Sequence, residues 1–159
     1  MIKVLTGIRR CGKSTIIQQI IQELRENDVP DNRIIYINFE DYQYRKLCDA
    51  DLLYEFVKRK IVDNAKHYLL FDEIQNVNQF ELVVNSFRAT HDVSIFITGS
   101  NSKLLSGELA THLGGRTLAF RIMPFTFSEY CSLQSEMQSS KSQKLLLNEY
   151  MKWGGFPLV

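Results

Sequence analysis

The chain has 159 residues, of which 45% are apolar and 23% charged, and its formal net charge is +1. This composition excludes a disordered or fibrous protein and suits one compact domain with a sizeable core. So small a charge provides no global field for nucleic acid or an anionic membrane, and any such binding must rest on a local patch.

Ile2, Val4 and Leu5 form a short apolar run at the amino end, and Ile16, Ile17, Ile20, Ile21 and Leu24 recur at helical spacing after it. A strand and then a helix are predicted, and residues 7–14 between them read GIRRCGKS, which fits G-x-x-x-x-G-K-[ST]. In such a loop the backbone N–H groups, unshielded at Gly7 and Gly12, converge on phosphate oxygens, and the helix N-terminus adds partial positive charge. Lys13 would neutralise the outer phosphates, and the Ser14 hydroxyl would ligate a magnesium ion bridging them. Gly7, Ile8, Arg9, Arg10, Cys11, Gly12, Lys13, Ser14 and Thr15 are therefore the candidate phosphate cradle. Arg9 and Arg10 read equally well as phosphate contacts and as solvated side chains. Cys11 reads more readily as a small inert side chain than as an activated thiolate.

Residues 31–39 hold the apolar run Ile34, Ile35, Tyr36 and Ile37, which suits a strand buried on both faces. Leu52, Leu53, Phe56, Val57 and Ile61 mark a second helix. Residues 68–71 form another apolar run ending in acid, and Phe80, Val83, Val84 and Phe87 mark a third helix. Strands are predicted over residues 93–98 and 117–123, with a polar, glycine-bearing stretch between them around a short segment at 104–113. From Ser128 the pattern turns helical, with a polar loop over residues 135–143 and a last helix over 145–153. This alternation predicts right-handed βαβ units and a mainly parallel sheet between helices, with ligands at the carboxyl ends of the strands.

Asp72 and Glu73 stand at the end of the third predicted strand. An acid there can hold magnesium through its water shell, so Asp72 is the metal candidate beside Ser14. Glu73 points to the other side of the chain and can polarise a water for in-line attack on a terminal phosphate. The plainer alternative is that both acids end a strand and cap the next helix.

Cys11, Cys48 and Cys131 form no C-x-x-C pair, and His67, His91 and His112 lack partner spacing. No basic segment precedes an apolar signal region, and no apolar run approaches the length of a membrane span. A soluble, cytoplasmic protein is expected. Arg45-Lys46 and Lys58-Arg59-Lys60 are modest basic clusters that fit solvated helix faces better than a DNA-binding patch.

GIRRCGKS, YINFED, LLFDEIQ, ITGSNS, GGR and MPFTFSEY, in this order and nearly end to end, resemble the P-loop ATPases of the AAA+ superfamily. The resemblance is to the additional-strand, catalytic-glutamate branch and, more narrowly, to the prokaryotic AAA domain family fourteen. It implies a three-layer α/β/α P-loop domain with a mainly parallel five-stranded sheet, binding ATP and Mg2+. It also implies a Walker A motif at residues 7–14 and a Walker B motif at 68–73. Ser100 or Asn101 then matches the polar sensor at a strand tip, and Arg116 the arginine that one subunit supplies to the next subunit's nucleotide in a homo-oligomer. Asn38 matches the polar residue that holds the catalytic glutamate back until a partner binds. Adenine preference rests on the resemblance alone, and no helical lid follows in which to place a second sensor arginine.

Residues 1–133 read as the ATPase core and 134–159 as a polar loop, a helix and the start of a further region. Both ends lead one to expect a domain of a longer protein, with an effector domain or protein as its partner. The functional expectation is a magnesium-dependent ATPase that drives a conformational change. The alternatives are an ATP-dependent interaction switch with little hydrolysis and, less in keeping with Glu73, a small-molecule kinase.

Overall fold

The structure, a computed structural model, describes residues 1–100, 113, 115–137 and 141–156. In chain order the elements are β1 (Ile2–Thr6), α1 (Lys13–Glu26), β2 (Ile34–Asn38), α2 (Ala50–Lys60), β3 (His67–Asp72), α3 (Phe80–Thr90), β4 (Val93–Gly99), β5 (Thr117–Arg121), α4 (Phe127–Glu136) and α5 (Gln143–Trp153). The strands form one five-stranded sheet in the order β2-β3-β4-β1-β5, and every pairing is parallel. β4 thus lies between the strand that leads into the phosphate loop and the strand that ends in Asp72, which is the additional strand the resemblance implied.

Alternating side chains sort the strands' residues onto two faces. Val4, Ile35, Ile37, Leu69, Phe71, Ile95 and Ile97 pack with Leu53 and Val57 of α2 and Val83, Val84 and Phe87 of α3. Leu5 and Leu70 pack on the other face with Ile17 and Ile21 of α1. Helices therefore lie on both faces, the expected three-layer α/β/α arrangement, while edge strand β5 leaves Leu118 and Phe120 exposed. Central β3 is buried from Leu69 to Asp72, which explains why its sequence reads as an unbroken apolar run.

α2, α4 and α5 start at residues whose side chains cap them. Asp49 accepts from the N–H groups of Asp51 (3.0 Å) and Leu52 (3.1 Å) at the start of α2. Lys58, Arg59 and Lys60 fill the last turn of that helix, where positive charge complements the helix dipole. Lys58 also lies 5.5 Å from the Tyr54 ring centroid and Lys60 5.2 Å from that of Phe56. The solvated-face reading of this cluster thus has a local physical basis.

Two boundaries differ from the sequence expectation. β5 ends at Arg121 rather than 123, because its partner β1 ends at Thr6 and the chain turns into the loop; one more bond, from Ile122 N–H to Thr6 O (2.6 Å), closes the ladder. The polar stretch over 135–143 is shorter than expected. A capping box between Thr126 and Glu129 nucleates α4, which runs through Glu136, and α5 already begins at Gln143. The Thr126 N–H and then its hydroxyl hold the Glu129 carboxyl below its usual pKa. Tyr150 of α5 packs against Phe127 and Tyr130 of α4 and donates to Phe125 O (2.8 Å). Of the segment expected at 104–113, only Leu113 is described, and it is fully buried.

Phe87 has no exposed surface and its ring stacks on Tyr54 at 5.0 Å. Phe87→Ala is expected to cost about 3–5 kcal/mol in urea unfolding, because the site cannot collapse around the cavity. Leu82→Ala, at a side chain 65% exposed on the same helix, should stay within about 0.5 kcal/mol.

Candidate functional site

β1 delivers the chain to the carboxyl edge of the sheet, where Gly7 packs so tightly that a Cβ would collide with the carbonyl oxygen of Ile122. Gly12 at φ 97° is the N-cap of α1, a left-handed position that favours glycine, and Arg10 also takes positive φ at 67°. Cys11 is 4% exposed and turned under the loop, so it packs rather than lining the opening. Ile8, Arg9, Arg10, Ser14 and Thr15 are exposed. Arg9, Arg10, Gly12, Lys13, Ser14 and Thr15 surround a cavity of about 230 Å³ together with Glu40 and Glu73. Across its rim Arg9 pairs with Glu40 at 3.1 Å, an exposed bridge of small energetic worth.

β3 brings the two acids to the same edge. Asp72 is fully buried, accepting from Thr98 Oγ at 2.5 Å and from the Tyr36 hydroxyl at 3.5 Å. Burial first, and the neighbouring Asp72 charge second, push the Tyr36 phenol up to about 12, so it stays a proton donor. The Thr98 oxygen in turn accepts from the Glu73 N–H at 3.0 Å. One buried hydroxyl therefore fixes both acids.

Glu73 takes left-handed backbone angles, φ 53° and ψ 48°, which cost a non-glycine residue about 1 kcal/mol or more. Asp72 ends β3 and Glu73 stands at the N-cap of the following 3₁₀ turn, without a side-chain capping bond. The bend carries the Glu73 carboxylate towards the loop. Its Oε1 lies 3.7 Å from Lys13 Nζ, and its Oε2 accepts from Gln75 Nε2 (2.5 Å) and Ser100 Oγ (3.2 Å). Lys13 is only 3% exposed and also donates to the carbonyls of Gly7 (3.2 Å) and Ile8 (3.1 Å).

Lys13 and Ser100 thus both meet Glu73 beside the loop, and Asp72 lies next to Glu73 at the end of β3. Asn101 lies outside the described residues. Arg116 is exposed at the amino end of β5, beside Ile2 and at the sheet edge opposite the loop. Asn38 Oδ1 accepts from Glu40 N–H (2.9 Å), and the hydrogen bonds to the Glu73 carboxylate come from Gln75 and Ser100 instead. Sequence reasoning passed over Thr98, Tyr36, Gln75 and Glu40. Thr98 carried a faint signal, as a polar group near the tip of an apolar strand, and Tyr36 as the hydroxyl in the middle of another.

Among the described residues no group of three or more His, Cys, Asp or Glu is arranged to hold a metal, and no helix is long and apolar enough to cross a membrane. His67 is buried with its Nδ1 2.8 Å from Ala65 O, a structural position away from the loop.

A parallel sheet in this order, with a glycine-bearing loop opening α1 and paired acids ending β3, defines a P-loop nucleotide-binding fold. The AAA_14 family model, described as an AAA domain, matches residues 1–131, and the chain belongs to that family. It is 39% identical over 159 residues to an uncharacterized protein of Haemophilus influenzae, covering 99% of this chain and 40% of that one. It is 40% identical over 166 residues to uncharacterized protein MJ1544 of Methanocaldococcus jannaschii, covering 99% of this chain and 36% of the other. The chain therefore spans about two-fifths of the length of these relatives. The structure of AMPPCP-bound DnaA from Aquifex aeolicus superposes with a TM-score of 0.62 at 15% identity, over 98% of this chain and 51% of that one. The fold is that of the AAA+ P-loop ATPases, which suggests nucleotide binding and possible hydrolysis.

Thr98→Val keeps the shape and removes the hydroxyl that bridges the two acids. It should destabilise the domain by about 1–3 kcal/mol in urea unfolding, because the buried Glu73 N–H and Asp72 each lose a partner. Stability within about 0.5 kcal/mol of wild type would mean that the bridge contributes nothing.

Proposed function

We propose that this domain is a magnesium-dependent ATPase whose hydrolysis drives a conformational change in an effector domain or protein of the cytoplasm. The observation that carries the reading is the meeting of Lys13 and Glu73 at the cavity formed by the phosphate loop, with Ser100 bonded to Glu73 and Asp72 buried next to it at the end of β3. ATP as the nucleotide is supported by the AAA-domain membership and by the AMPPCP-bound state of the similarly folded DnaA.

The residues present suit magnesium. The donors at the loop and the β3 tip are a hydroxyl, Ser14, and a carboxylate, Asp72, and magnesium on a nucleotide is usually held by one or two carboxylates together with phosphate oxygens. Ser14 and Asp72 would hold the ion, which supplies charge neutralisation on the phosphate oxygens. Lys13 binds the outer phosphates, exchanging its contacts with the Gly7 and Ile8 carbonyls and Glu73 for phosphate oxygens. Glu73 takes the proton of the attacking water, and Ser100 orients the Glu73 carboxylate.

The position of Arg116 supports a role on the nucleotide of a neighbouring copy, because the sheet separates it from the loop of its own chain. Specific activity is then expected to rise with protein concentration. Arg116→Ala should abolish that rise and leave ATP binding intact, as sedimentation and turnover measured side by side would show.

A second reading, a nucleotide-dependent switch with little turnover, is favoured by the resting engagement of Glu73 with Lys13, Gln75 and Ser100. Calorimetric titration with ATP and magnesium, paired with phosphate release, separates the two. Lys13→Ala should weaken ATP by at least about tenfold. Glu73→Gln should keep ATP binding and lose about 100-fold or more in turnover. Tight binding by a wild type without measurable turnover would select the switch, and absence of ATP binding would overturn both.

A further inference from the structure

The two oxygens of the Glu73 carboxylate are treated differently. Oε2 receives two donors, Gln75 Nε2 at 2.5 Å and Ser100 Oγ at 3.2 Å, whereas Oε1 lies 3.7 Å from Lys13 Nζ, and Glu73 and Lys13 both line the cavity. Gln75 belongs to a short 3₁₀ turn, Ile74–Asn76, immediately after the left-handed Glu73. That turn is firmly anchored. Ile74 is fully buried, Val77 N–H donates to Ile74 O at 2.9 Å, and Asn76 Nδ2 donates to Phe39 O at 3.3 Å. The Gln75 amide therefore approaches the carboxylate from a fixed base.

The other polar atom of this amide, Oε1, is buried with no hydrogen-bond partner among the described residues. An apolar side chain of the same size would fill the space without that penalty. Among the described residues the amide's hydrogen bond is the one it gives to Glu73.

We propose that Gln75 is a positioning residue for hydrolysis, holding Oε2 of Glu73 so that Oε1 is the oxygen presented to the attacking water. The inference rests on the reading of Glu73 as general base. In the resting site Oε1 is paired with Lys13; when phosphate oxygens take the ammonium, Oε1 becomes free and Gln75 keeps it aimed. The water oxygen then bonds to the terminal phosphorus, the bond from phosphorus to the departing nucleoside diphosphate breaks, and the water proton passes to Oε1. Without the anchor the carboxylate spreads over several rotamers, few of which reach the water.

The test uses Gln75→Met, which preserves length and approximate volume but removes the donor, with Gln75→Leu as a second variant should the first fail to fold. Phosphate release and calorimetric ATP affinity are measured in wild type, the Gln75 variant, Glu73→Gln and the double variant. A fall in kcat of about 10- to 100-fold is expected for the Gln75 variant, with KM and the calorimetric Kd within about twofold of wild type. In the Glu73→Gln background the same substitution should produce no further fall, since there is no carboxylate left to aim.

If the Gln75 variant keeps wild-type kcat while Glu73→Gln loses it, Gln75 only fills space and the inference alone fails. An equal fall in both backgrounds, or a weakened Kd, would likewise reduce Gln75 to a structural role. If Glu73→Gln retains wild-type turnover, or wild type has none, the general-base reading fails and the positioning role falls with it.

Discussion

A lysine and a glutamate that are almost free of water contact, Lys13 and Glu73, face each other at the carboxyl edge of the sheet, with fully buried Asp72 beside them. Charges so placed are costly unless each is supplied with partners, and the local architecture is the set of partners. Lys13 takes two loop carbonyls, Asp72 takes the Thr98 and Tyr36 hydroxyls, and Glu73 takes an amide and a hydroxyl. Because no charge is left to one partner alone, the ammonium can exchange its carboxylate for another anion without stranding either group.

The sheet order makes this possible. Thr98 reaches the acids of β3 only because β4 lies directly beside β3, with Phe71 paired to Ile97 in the parallel register. Tyr36 reaches Asp72 from the other flank, where Asn38 is paired to Asp72 itself. Asp72 is thus clamped between strands, while Glu73, one residue further, has left the ladder and bends towards the loop. A difference of one residue separates a fixed carboxylate from one whose side chain is aimed.

The parts of the site visible in the sequence were those set by local chemistry. GIRRCGKS carries its own spacing, and the apolar run ending in Asp72 announces a strand; residues 34–37, expected to be buried on both faces, form the edge strand β2 instead, with Ile35 and Ile37 buried and Ile34 and Tyr36 only partly so. The parts that were not visible depend on register and backbone angle. Thr98 becomes a bridging hydroxyl only through the β3–β4 pairing, and Gln75 meets Glu73 only because Glu73 adopts positive φ. Asn38 was read onto Glu73 from the resemblance, yet its oxygen serves the Glu40 N–H in the turn that follows β2. Likewise the start of α4 is fixed by a capping box at Thr126 and Glu129, a local signal overshadowed by the polar composition of the stretch beyond it.

The phosphate loop is also tied mechanically to the far edge strand. Gly7 contacts the Ile122 carbonyl so closely that no side chain fits, and Ile122 N–H bonds to Thr6 O just before the loop. Three residues on, Phe125 N–H bonds to Gly155 O at 2.8 Å, and Tyr150 donates to Phe125 O. The backbone that leaves β5 therefore touches the loop at one point and the end of α5 at another. A close-packed contact of this kind resists compression, so a movement of Gly7 towards Ile122 has to be absorbed along residues 122–125. That places α4 and α5, the last described helices, in direct structural connection with the loop that the charged cluster surrounds.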